Sequence, residues 1–155
     1  MILNEQNGIV YVLKPGDYQA GSDGDSINAG KCRHITFMLQ FAALTGDAVL
    51  RLYSGATDGA KTTAETFAYR LASAAQGATS GDVYGSASTS SALTLTAATY
   101  QNKMLLVDID VAALTEGQPY LTLNFSSAAD ALNVAVTAVL QDMKYSGATA
   151  DSAVA

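Results

Sequence analysis

The side chains able to do covalent or metal chemistry are few. One cysteine, Cys32, and one histidine, His34, stand two residues apart. On an extended strand that spacing puts both side chains on one face, so a thiol nucleophile with an imidazole base is one reading. No nucleophile-elbow sequence and no glycine-rich oxyanion loop accompanies the pair. The plainer reading makes Cys32 a small buried hydrophobe and His34 a strand-edge residue, and His34→Ala is then expected to leave function intact. Zinc takes three or four Cys, His or carboxylate ligands, more than this pair supplies. Asp23-Gly24-Asp25 and Asp108-Ile109-Asp110 are the two acidic pairs. Neither has the glycine and terminal glutamate offsets of a calcium loop, and there is no tryptophan to stack a sugar between paired carboxylates. They read as turn-forming aspartates and a solvated strand end. Gly55-Ala56-Thr57-Asp58-Gly59 lacks the Gly-Lys-Ser/Thr ending of a phosphate loop. The expectation is a protein that is not an enzyme and needs neither metal nor cofactor.

Composition narrows the partners. Of 155 residues, 14 are acidic and 8 basic, giving a net charge of −6. The basic side chains are scattered, so the footprint that displaces counterions from nucleic acid is missing, and acidity repels anionic lipid. Neither nucleic acid nor membrane is expected as a partner. Charged residues make up 14% of the chain, against about 25% in typical domains. Ala, Gly, Ser and Thr take their place, which suits flat, uncharged surfaces that pack on other protein. The eight tyrosines read as half-buried sheet residues, with an interface role as the alternative. A lone cysteine makes no internal disulfide, and Met1–Gln6 lacks the basic and apolar regions of a secretory signal. The chain reads as soluble and made in the cytoplasm.

The elements that would hold these residues are strands. Ile9–Leu13 is a β-branched and aromatic run expected to stop at Pro15-Gly16, and residues 16–31 read as loop. Ile35, Phe37, Leu39 and Phe41 alternate on one face, and 48–53 alternates again. Residues 62–72 are expected as one strand, since Phe67, Tyr69 and Leu71 share a side; a helix over 64–75 is the alternative. Asp82–Gly85 is a candidate edge strand. Met104–Val111 is apolar on both faces at first and so reads as central, and 120–125 and 132–140 alternate cleanly. Residues 112–117 suit one helical turn. The pattern predicts an all-β antiparallel β-sandwich, jelly-roll-like, with about seven to nine short strands. Three regions follow: an N-terminal arm or first strand plus loop (1–30), a sandwich domain (31–145) and a flexible tail (146–155).

In phrasing as well as pattern, Ile35-Thr36-Phe37-Met38-Leu39-Gln40-Phe41, Gly46-Asp47-Ala48-Val49-Leu50-Arg51-Leu52-Tyr53, Leu93–Ala98, Met104–Asp110 and Leu132–Val136 resemble the capsid-decoration (cement or head-auxiliary) proteins of tailed bacteriophages. The likeness covers most of residues 33–145. It implies a structural virion protein that binds the outer surface of an assembled capsid and stabilises it. The major capsid protein would be its partner and a homo-oligomer, with a trimer favoured, its form. A tail, baseplate or head-fibre component is the alternative, and a carbohydrate-binding module the further one. For the interface, the sequence points to Leu3, Ile9 and Tyr11 in the N-terminal segment and to the loop around Asp23; a first strand completing the sheet is the other reading of that segment.

Overall fold

The computed structural model describes residues 7–144. Alternating apolar residues produce strands throughout. In chain order these are β1 (Gly8–Asp17), β2 (Ser22–Asp23), β3 (Ile27–Asn28), β4 (His34–Leu44), β5 (Ala48–Gly55) and β6 (Thr63–Ala64). There follow β7 (Phe67–Leu71), β8 (Ser88–Ser90), β9 (Leu93–Leu95), the short helix α1 (Ala97–Tyr100), β10 (Met104–Asp110), β11 (Tyr120–Phe125) and β12 (Leu132–Gln141). The strand count exceeds the expectation because β2, β3, β6, β8 and β9 are pieces of two or three residues, too short to leave a period.

All pairings are antiparallel, in two sheets. Sheet A runs β1-β12-β4-β10-β7-β8. In sheet B, β11 and β5 form the centre, edged by β2 and β3 on one side and by β6 and β9 on the other. The pairs nest: first strand with last, β2 and β3 with β11, β4 with β10, β5 with β9. Between the sheets lies one core. Ile35, Phe37, Leu39 and Phe41 of β4 face Leu50 and Leu52 of β5 and Leu121 and Leu123 of β11, all at most 1% exposed. Burying each such side chain contributes about 1.5–3 kcal/mol.

Four local expectations need correction. β1 does not stop at Pro15-Gly16; it continues to Asp17, pairing Gly16 with Val134 and Asp17 with Asn133. It is an edge strand, where a missing N–H costs no ladder bond, and register shifts on either side of Leu13 absorb the bend. Residues 16–31 are not simply loop, since β2, β3 and a 3-10 turn at Ala29–Lys31 lie there. Residues 62–72 are two strands: β6 joins sheet B, the chain crosses at Glu65-Thr66, and β7 joins sheet A. Asp82–Gly85 forms only a single bridge, Tyr84 to Ala72, and β8 is the edge. Residues 146–155 and Leu3 lie outside the described residues.

Candidate functional site

The possible Cys-His pair does not assemble. Cys32 is fully buried, its thiol directed at the Ala29 carbonyl 3.7 Å away. Burial pushes that thiol up to about 11, only partly opposed by the Lys144 charge, so it is not a thiolate at neutral pH. The chain turns between Ala29 and Cys32, and β4 begins only at His34, so the expected shared face is lost. His34 is half-exposed on the outer side of sheet A, its Nε2 3.4 Å from Asp108 Oδ1. β4 lies between β12 and β10, which makes His34 the start of a central strand rather than an edge residue. Asp108 also accepts from Thr36 Oγ1 at 2.6 Å, so it is not merely a solvated strand end. Asp110 accepts from the Ala112 amide at 2.9 Å and starts a 3-10 turn. Among the described residues no group of three or more His, Cys, Asp or Glu is placed to hold a metal ion, and no helix is long and apolar enough to cross a membrane.

What the structure does assemble is a surface at the β1 edge. Tyr11 and Ile9 are two of the large apolar residues left outside the core, 80% and 46% exposed. They point away from the core because Val10 and Val12 point into it, Val12 being 3% exposed. Beside them the Asp23–Asp25 segment bridges the sheets: Gly24 N–H donates to the Leu123 carbonyl of sheet B, and Asp25 N–H to the Val12 carbonyl of sheet A. Glycine is required there, since a Cβ at position 24 would lie 2.4 Å from Val12 Cγ1. Between strand and segment runs a groove of about 370 Å³ lined by Tyr11, Tyr18, Lys14, Asp23 and Asp25. Tyr11 and Asp23, 12 positions apart in sequence, thus share one concave feature. The Asp23 carboxylate is held by Lys61 Nζ and Asn124 Nδ2, each at 2.7 Å. Burial raises its pKa, but these two partners outweigh that and hold it below the ordinary value.

Two further features stand apart from the β1 edge. Glu65, 8% exposed, sits where the chain crosses between sheets. It accepts from Ser54 Oγ at 2.5 Å and from the Thr115 amide at 3.1 Å. Burial alone would raise its pKa; these bonds bring it below the ordinary 4.5. Nothing around Ala64-Glu65-Thr66 marks that position in the sequence. The second is the outer face of sheet A. Burial alternates strictly along β12 and β10 and over most of β4, so Met38, Met104, Leu106 and Val139 stand on the solvent side, only half-buried. Apolar character on both sides of Met104–Val107 was the sequence signal for it.

No protein-family model matches the sequence, and no curated protein matches it. Among solved structures, the fold is similar to the crystal structure of SPBc2 prophage-derived protein YomS. The TM-score is 0.50 and the identity 11%, over 90% of this chain and 98% of that one. At that identity the likeness concerns the fold.

Proposed function

We propose that this chain, a two-sheet antiparallel sandwich like that of a prophage-derived protein, is a structural component of a phage virion that binds the outer surface of the assembled capsid and reinforces it. The nested strand pairing supports a jelly-roll reading, an architecture used in capsid and lectin domains. The observation that carries the reading is the β1 edge, where Tyr11 is 80% exposed and Ile9 46% exposed beside the Asp23 groove. Exposed aromatic and aliphatic anchors next to a polar rim are the composition of a protein-binding patch. A low-charge acidic chain also suits the exterior of a DNA-filled shell better than contact with the genome. Weak single contacts become firm when copies repeat over a lattice. The major capsid protein is the partner in this reading.

The test is co-sedimentation of the purified chain with undecorated heads. The full-length protein is expected in the pellet, and Tyr11→Ala is expected to reduce it by at least about tenfold, as for a hot-spot residue. A chain that stays in the supernatant, or labels the tail instead of the head in the virion, overturns the proposal; tail labelling selects the tail or baseplate alternative.

A further inference from the structure

We infer that the cleft at the His34 end of sheet A is a binding site for a small oxyanion, the phosphate or clustered carboxylates of a metabolite-sized molecule. Three chain segments meet there, each joined to a strand of sheet A: residues 31–33 before β4, 111–113 after β10 and 142–144 after β12. Backbone bonds tie them together. Arg33 N–H donates to the Gln141 carbonyl at 3.2 Å, Val111 N–H to the Arg33 carbonyl at 2.9 Å, and Lys144 N–H to the Lys31 carbonyl at 2.9 Å. The walls are therefore held before a ligand arrives, which keeps the ordering cost of binding low. Between them lies a volume of about 740 Å³, twice that of the groove at β1 and within the range of small-molecule sites. Arg33, His34, Asp110, Gln141, Asp142 and Lys144 line it.

In that lining Arg33 and Lys144 balance Asp110 and Asp142, so formal charge does not choose the ligand. The hydrogen-bond inventory does. Asp110 already accepts from the Ala112 amide at 2.9 Å, His34 has its Nε2 on Asp108, and Gln141 has its Nε2 on Thr36 at 3.3 Å. The side chains of Arg33 and Lys144 make no ion pair or hydrogen bond among the described residues. A guanidinium and an ammonium together carry about eight N–H donors and no acceptor. Against them stand the Asp142 carboxylate, the second oxygen of Asp110 and the Gln141 amide oxygen. Donors are in excess, and their complement is a compact group of oxygens; phosphate and carboxylate accept such bonds with charge-assisted strength. The field at the inner end has the matching sign. Cys32, fully buried, lines the cleft there; burial raises its thiol pKa, and the Lys144 ammonium is the charge that opposes this.

NMR titration of the isotope-labelled full chain with sodium phosphate and, separately, sodium citrate tests this, each against sodium chloride at equal ionic strength. Saturable shifts are expected at the amides of Arg33, His34 and Lys144, with a dissociation constant of about 1 mM or tighter. Saturation by phosphate alone selects a phosphate-bearing ligand and by citrate alone a carboxylate-bearing one; either upholds the site. Arg33→Ala and Lys144→Ala, both at exposed positions, are each expected to weaken binding about threefold with an unchanged circular dichroism spectrum. Asp142→Asn removes the unpartnered carboxylate and is expected to tighten binding by a similar factor. Shifts no larger than chloride gives, saturation at residues elsewhere, or folded variants that all bind as the wild type does overturn the inference. No capsid enters the sample, so the result is independent of head binding.

Discussion

The two sheets of this sandwich differ at the middle of their outer faces. On sheet B the outward residue Thr122 is 1% exposed, although it alternates with core residues on β11, because the turn after β5 folds over it. That cover is held by polar groups: Ser26 and Thr122 hydroxyls 2.7 Å apart, the Gly59 amide on Ser26 at 2.9 Å, and Lys61 on Asp23 at 2.7 Å. Beside it lies the buried Glu65–Ser54 bond. On sheet A the alternation never closes over: residues such as Met38, Leu106 and Val139 keep part of their surface in solvent. Stability is invested in the sheet B face, whereas sheet A and its β1 edge keep apolar area available. A face that is apolar, flat and uncovered is where association gains most.

Substitutions should separate the two faces. The largest effect is expected from Gly55→Ala, since a Cβ there would lie 2.4 Å from the Ala60 carbonyl oxygen. Backbone cannot yield as a side chain does, so the turn must lift, at a cost of about 3 kcal/mol read by chemical denaturation. A loss no larger than an exposed glycine gives would break the claim that this cover is rigid. Next comes Glu65→Ala, which strands the Thr115 amide and leaves the Ser54 hydroxyl with Gln118 Oε1 at 2.8 Å as its remaining acceptor, and is expected to cost about 2 kcal/mol. The same residue gives a pH dependence. Its folded pKa lies below the ordinary 4.5, so its contribution is full above that pH and disappears as pH falls through the folded value. The wild type should lose stability below about pH 4.5, and Glu65→Gln should flatten that limb; an unaltered limb in a denaturation series against pH would count against the assignment. Lys61→Ala removes a half-exposed pair and should cost less than about 1 kcal/mol, shrinking further in salt. Smallest is Tyr11→Ala: stability within about 0.5 kcal/mol, while capsid binding falls. A large drop in melting temperature would move Tyr11 from the docking surface to the fold.

Long alternating runs made the framework legible. Residues 34–41, 104–110, 120–125 and 132–140 repeat every second position over enough residues to fix strand and face, and each is an interior strand of its sheet. What the sequence concealed depends on tertiary contact. The crossing at Glu65 divides an unbroken alternation because Glu65 N–H finds the Leu52 carbonyl of sheet B while Phe67 pairs with Ser90 of sheet A. Pro15 reads as a stop, and only its position on an edge strand makes it tolerable. Cys32 and His34 look paired until the turn at Ala29–Lys31 separates them. Of the suggested interface residues, Tyr11 and Asp23 meet in one groove, a proximity that strand pairing creates and spacing cannot reveal.

The most direct test is hydroxyl-radical footprinting of the chain bound to heads against the chain free at low concentration, comparing two tyrosines. Tyr11 lies on the β1 edge and Tyr53 on the outer side of sheet B. The account predicts that Tyr11 becomes strongly protected while Tyr53 reacts as before. Protection of Tyr53 with Tyr11 still open would contradict it, and would place the docking surface on sheet B.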